Sequence, residues 1–143
     1  MAVFYPSKDS VFQITDTGAV LRDISPYILS IDGLPGVREL IEVTALGSTG
    51  REFIPGLENA VISLELQWSD DALVGAETVL GPLRTHTAAV AFDFGPEGKA
   101  TGDIKYSGTC WVRNFTAPVR FGDKVAARAE LQVHGAITRG TYA

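Results

Sequence analysis

Residues 124–134 read KVAARAELQVH. Val125, Ala127, Ala129, Leu131 and Val133 alternate with Ala126, Arg128, Glu130, Gln132 and His134. Successive side chains of a strand point to opposite faces, so this spacing predicts a strand with one apolar and one polar face. Other stretches repeat the pattern. Residues 60–68 set Ile62, Leu64, Leu66 and Trp68 on one face, which places Trp68 in the core, and Val61, Ser63, Glu65 and Gln67 on the other. Residues 88–94 align Ala88, Val90, Phe92 and Phe94. Residues 105–115 form a long strand expected to pair with them across the turn region 95–102. Near the start, Phe12 and Ile14 alternate with Val11, Gln13 and Thr15. After the Thr17-Gly18 turn, residues 19–24 are expected to return as the second strand of a hairpin, and 28–31 make another short strand.

One segment changes period. Leu73, Ala76, Leu80 and Leu83 recur at helical spacing behind Ser69-Asp70-Asp71. Ser or Asp caps a helix, and acids in its first turn meet the positive end of the dipole. Gly81-Pro82 reads as a stop. The expectation is one helix over 70–80, weakened by about 1 kcal/mol by Gly75 in its interior. The fold class that follows is mainly β: a sandwich or barrel of about seven or eight strands with one flanking α-helix. The 143 residues are read as a single domain, with no linker, internal repeat or low-complexity tract.

Composition narrows the function. Seventeen acids against 12 bases give a net charge of −5. That argues against affinity for nucleic acid, which needs basic excess, and suits a surface that must not stick to DNA. A single cysteine, Cys110, excludes an intramolecular disulfide and fits a cytoplasmic assembly site. MAVFYPSKDS carries no basic region followed by an apolar stretch, so no signal peptide is expected. The longest uninterrupted apolar run, 88–92, is far short of a membrane span.

The residues that could do chemistry do not converge. Nucleophilic catalysis needs a base beside the nucleophile, and only His86 and His134 are on offer. Cys110, in a strand beside Trp111, reads as a buried structural thiol. Gly47-Ser48-Thr49-Gly50 lacks the spacing of a nucleophile elbow and reads as a flexible turn. Gly95-Pro96-Glu97-Gly98-Lys99-Ala100 has glycines too close together for a phosphate loop, and Ala100 where a hydroxyl should bind magnesium. Two histidines and one cysteine do not close a zinc site without carboxylates. Asp70-Asp71 could be paired carboxylates, but helix capping accounts for them. Neither an enzyme nor a cofactor is expected. Trp68 and Trp111 could serve a ligand-binding module as stacking platforms, although Trp68 falls on an apolar face.

Surfaces remain. The polar strand faces, with Glu65 and Gln67 on one and Arg128, Glu130, Gln132 and His134 on the other, are solvent faces or the lining of a channel enclosed by joined sheets. Residues 42–57 are the anomaly. Leu46, Phe53, Ile54 and Leu57 ride on a framework of Gly47, Gly50, Pro55 and Gly56, where a flexible loop ordinarily stays polar.

The order of these features resembles the major tail tube proteins of long, non-contractile-tailed bacteriophages. The matching pieces begin with Leu21-Arg22-Asp23-Ile24-Ser25-Pro26-Tyr27 and Glu42-Val43-Thr44-Ala45-Leu46-Gly47. Arg51-Glu52-Phe53-Ile54-Pro55-Gly56-Leu57 follows, then the strand 60–68 and the single helix. Tyr106-Ser107-Gly108-Thr109-Cys110 and Leu131-Gln132-Val133-His134-Gly135 complete the set, so the resemblance runs from about Val11 to Thr141. The segment 43–57 is its most specific part. The C-terminal immunoglobulin-like domain that some relatives carry is not expected here. The resemblance implies a β-sandwich flanked by a helix, hexameric rings, and rings stacked into a tube through which double-stranded DNA passes without specific binding. It implies a virion tail protein assembled in the host cytoplasm, with tape measure, tail tip and terminator proteins as further partners and no membrane. It implies that 33–57 is a loop, mobile in the monomer, that orders when rings stack. On that basis Thr44, Leu46, Arg51, Phe53, Ile54, Pro55 and Leu57 are candidate contacts between subunits or rings. Glu65 and Glu130 are candidate lumen residues from strand polarity. A tail terminator or secretion-tube-like ring protein is the alternative within the same class.

Overall fold

The computed structural model describes residues 4–143. Its strands are β1 (Val11–Thr15), β2 (Leu21–Asp23), β3 (Ile28–Asp32), β4 (Arg38–Glu42), β5 (Phe53–Glu58), β6 (Val61–Gln67), β7 (Val90–Gly95), β8 (Ile104–Thr116) and β9 (Ala126–Thr141), and the helix is α1 (Ala76–Leu83). Seven strands make one antiparallel sheet in the order β2-β1-β7-β8-β9-β6-β3, while β4 and β5 pair only with each other. The expected mainly-β fold with one helix is the fold observed.

The alternation at 124–134 does what its pattern dictates. Ala127, Ala129, Leu131 and Val133 are buried, and so are Ile62, Leu64 and Leu66 of β6, whose register with β9 is unbroken from Val61 opposite Gln132 to Gln67 opposite Ala126. Strands β1 and β6 stand far apart in the sheet order, yet Phe12 and Ile14 share one core with Ile62, Leu64 and Leu66. The sheet therefore curls around that core. Irregularities in the β8–β9 register, between Ser107 and Thr109 and between Val112 and Asn114, supply the bends. Helix α1 fills the concave side with Ala76, Val79, Leu80 and Leu83, and the Phe12 and Phe92 rings stack at 6.0 Å between centroids.

The helix corrects the expected boundaries of 70–80. It starts at Ala76 and runs through Gly81 and Pro82 to Leu83. Ser69-Asp70-Asp71 is a folded lead-in and not the cap. The Asp71 N–H donates to Ser69 Oγ, while its carbonyl accepts from the Gly75 N–H and the Thr78 hydroxyl. Leu73 has a φ of +78° and is exposed, so the first residue of the expected apolar face lies outside the helix, and Val79 takes its place in the core. Gly75 is the N-cap, and the position needs glycine because a Cβ there would lie 2.5 Å from the Asp71 nitrogen. Pro82, the penultimate residue, cannot donate to the Thr78 carbonyl one turn back, so the helix gives up one hydrogen bond there and ends one residue later.

Three further details differ. Strand β9 continues past His134 to Thr141, beyond a Gly135 of φ +79° that hides the continuation in the sequence. Trp68 is not in the core: β6 ends at Gln67, and Trp68 is 42% exposed, stacked on Phe115 at 6.0 Å. Val125, expected to face inward, precedes β9 and is exposed. Cys110 is fully buried, and burial pushes its thiol up to about 12. Native protein at pH 8 should therefore resist a thiol-alkylating reagent that modifies the urea-unfolded chain completely. Equal rates in the two states would place Cys110 outside the core.

Candidate functional site

Residues 33–57, expected as a loop, hold the β4–β5 hairpin. Glu42 lies opposite Phe53, Ile41 opposite Ile54 and Leu40 opposite Pro55. Beyond β4, the Val43 N–H donates to the Glu52 carbonyl, and Thr44 Oγ1 accepts from the Glu52 N–H at 2.9 Å. At the tip the Ser48 N–H donates to the Ala45 carbonyl, and the Ala45 N–H to Ser48 Oγ. The glycine-rich stretch is thus a closed turn. Pro55 fits because a two-stranded ribbon is all edge and does not need its N–H.

An isolated two-stranded hairpin is marginal in water. This one is held at its base: Glu58 Oε2 accepts from the Ile137 N–H at 3.0 Å, and the Asn59 N–H donates to the Val37 carbonyl at 3.1 Å. Its apolar residues have no cover. Opposite residues share a face, so Leu40, Phe53 and Pro55 occupy one face and Ile41 and Ile54 the other, and every one is exposed. Leu46 at the tip is 109% exposed and Leu57 81%. Contiguous exposed apolar surface is the feature by which interaction sites are recognised, which makes this ribbon the candidate site. Of the candidate contacts, Leu46, Phe53, Ile54, Pro55 and Leu57 share this ribbon with exposed Arg51, while Thr44 works locally as a tip acceptor. The sequence reading missed that Val37, Leu40, Ile41 and Val43 belong to the same surface. Their signal was apolar residues on both parities of a short strand, where a sheet with one buried face would carry them on one.

The second surface is the outward face of the sheet. Glu65 lies opposite Arg128 and is exposed, while Glu130 lies between Ser63 and Asn114 and is half-buried. Both carboxylates point away from the core, as the strand pattern predicts. A third surface was not foreseen. The β8–β9 connection, 117–125, carries Val119 and Phe121, the latter 108% exposed. Its signal was the one present in 42–57: apolar residues beside Pro118, Gly122 and Asp123.

Catalytic candidates stay apart or have other work. Asp71 accepts a hydrogen bond from the Tyr27 hydroxyl, which raises that hydroxyl's pKa. The backbone of His86 donates to the Leu83 carbonyl, and that of His134 accepts from the Thr109 hydroxyl. Among the described residues, no group of three or more His, Cys, Asp or Glu side chains is arranged to hold a metal ion. Trp111 lies opposite outward-facing Gln132, whereas the Trp68 partner Phe115 lies opposite inward-facing Ala129, so the two tryptophans share no platform. Among the described residues no helix is long and apolar enough to cross a membrane, which says nothing of strands.

No protein-family model matches the chain, and no curated protein matches it. Solved structures do. A chain in the tail of an empty gene transfer agent particle, refined with C6 symmetry, is similar at a TM-score of 0.77 and 16% identity, over 96% of this chain and 100% of that one. A chain of the SPP1 tail tube is similar at 0.75 and 12%, over 96% and 80%. A chain of the sheath/tube terminator of the PVC extracellular contractile injection system is similar at 0.68 and 13%, over 99% of each. One curled seven-stranded sheet, one helix and one projecting hairpin make a tail-tube-like fold.

Proposed function

We propose that this chain is a structural subunit of a phage tail tube, of the long non-contractile kind. Copies form hexameric rings, and rings stack into the conduit for DNA ejection. The observation that carries the reading is the β4–β5 hairpin: an ordered ribbon, apolar on both faces and covered on neither, attached to a tail-tube-like fold. A partner that is another copy of the chain explains why such a surface is kept. Thr44, Leu46, Arg51, Phe53, Ile54, Pro55 and Leu57 lie in this inter-ring contact. Full burial of each large apolar side chain would contribute about 1.5–3 kcal/mol toward ordering and stacking.

Lateral closure uses the ends of the open sheet. Among the described residues strands β2 and β3 each have one unpaired edge, and edges left open in a monomer are where neighbouring sheets add on. A head-to-tail interface whose rotation closes generates a ring. Glu65 and Glu130 then face the lumen, where a carboxylate does not hold DNA by releasing its counterions. DNA passes without specific binding, and tape measure, tail tip and terminator proteins act on the same tube. The protein resides in the virion tail and assembles in the host cytoplasm.

Electron microscopy of the concentrated protein, alone and with tail initiation partners, is expected to show hollow tubes with sixfold cross-section. Persistent monomers under every condition would remove the proposal. The similarity to a chain of a sheath/tube terminator structure, over 99% of each chain, supports a second reading in which a single ring caps the tube. Rings that never stack would select it.

A further inference from the structure

Resting on the tail-tube reading, we propose that the hairpin of one copy docks on the β8–β9 connection of a copy in the next ring. Position comes first. The hairpin ends at Glu58, just before β6 begins at Val61, and Val61 lies opposite Gln132. The β8–β9 connection ends where β9 begins at Ala126, opposite Gln67 at the far end of β6. Strands rise about 3.3 Å per residue, so the two features leave the sheet roughly 20 Å apart, at opposite ends of the same strands. Features at opposite ends of one subunit meet when subunits stack along that axis. Side-by-side neighbours at one height do not bring them together.

Charge selects the pairing. The hairpin, 37–58, carries Glu39, Glu42, Glu52 and Glu58 against Arg38 and Arg51, a net charge of −2. The β8–β9 connection, 117–125, carries Arg120 and Lys124 against Asp123, a net charge of +1 in a chain whose total is −5. All of these residues are exposed. The ion pairs among the described residues are Arg22–Asp16 and Lys99–Asp23, so none of these charges is already matched. Hairpin against hairpin would set acid against acid. Hairpin against the β8–β9 connection sets acid against base and brings Leu46 and Phe53 toward Val119 and Phe121, all exposed in the single copy. Such complementarity fixes partner and register. The contact is heterologous and does not close on itself along the stacking axis, so it propagates a filament.

The test pairs charge reversal with crosslinking. Combined Arg120→Glu and Lys124→Glu should raise the protein concentration needed for tubes at least tenfold at low salt, with rings and the monomer's melting temperature retained. Adding Glu42→Lys and Glu52→Lys in the same chain should restore tubes. Independently, Leu46→Cys with Phe121→Cys, treated with a short bis-maleimide, should give covalent ladders longer than one ring, since Cys110 is buried and does not compete. Wild-type tubes together with unaffected reversal variants and no ladder would overturn this docking and leave the tube reading standing. A wild-type chain that forms neither rings nor tubes, with no ladder from the cysteine pair, would overturn both.

Discussion

An Ile54→Asp variant should purify as a folded monomer and form no tubes at concentrations where the wild type is fully assembled. The two halves of this outcome have separate causes. Ile54 is exposed in the single copy and lies opposite Ile41 on a ribbon outside the core. Substitutions at such positions usually change stability by no more than about 0.5 kcal/mol, so the melting temperature should move by a few degrees at most. In the tube proposed above the same position would be buried. A carboxylate taken out of water without a partner costs several kcal/mol. Each 1.4 kcal/mol is about tenfold in an association constant, so one such group per subunit raises the assembly threshold by about a hundredfold or more. Phe53→Asp should behave alike, while Ile54→Val, which keeps the apolar surface, should assemble. Sedimentation and negative-stain imaging read the result. Tubes from Ile54→Asp at wild-type concentrations would remove the hairpin from the assembly.

The difference between core and surface also governs what the sequence made legible. Strands with one buried face wrote their pattern plainly: Ile62, Leu64 and Leu66 are buried, and Ser63, Glu65 and Gln67 are exposed. The hairpin had no such pattern, because a ribbon apolar on both faces carries no period of two. It could be noticed only as apolar residues among glycines, and its strands emerged from the pairing of Ile41 with Ile54 and Leu40 with Pro55. The helix misled for a related reason. Leu73 has helical spacing to Ala76, but the chain turns through a positive φ at Leu73 before the helix begins. Periodicity reports which residues would share a face if the helix existed, and it does not report where backbone hydrogen bonds start. Val119 and Phe121 offered only the weaker signal of apolar residues among Pro118, Gly122 and Asp123, with no period to single them out, and they acquire meaning beside Arg120 and Lys124 at one end of the molecule.

Gly33→Ala should destabilise the protein by about 3 kcal/mol, roughly 10 °C in melting temperature, and should impair stacking even where the variant remains folded. Asp32-Gly33 has the form of an ordinary turn, with Asp32 Oδ1 accepting from the Gly33 N–H at 2.9 Å. The structure assigns Gly33 a stricter task. Its φ is +96°, a region L side chains rarely adopt, and a Cβ there would lie 2.0 Å from the Val61 carbonyl oxygen. That oxygen belongs to backbone in register with β9, so it cannot swing aside as a side chain could. The position matters as much as the distance. Gly33 is where the chain leaves β3 toward the hairpin, and Val61 is where it enters β6 after the hairpin. One added methyl therefore separates the two strands that fix the hairpin's exit angle, and a displaced exit carries the tip away from its partner. Gly47→Ala and Gly50→Ala provide the contrast within the same segment. Neither has positive φ or any atom within 4 Å of an added Cβ, so both should fold with wild-type stability or slightly better. Chemical denaturation of the three variants, with tube yield measured well below each melting point, separates lost stability from lost geometry. A Gly33→Ala protein that melts with the wild type would show that this close approach does not exist in solution. One that melts lower yet stacks normally wherever it is folded would show that the hairpin's angle is set elsewhere, with the Glu58 contact to the Ile137 N–H as the next anchor to cut.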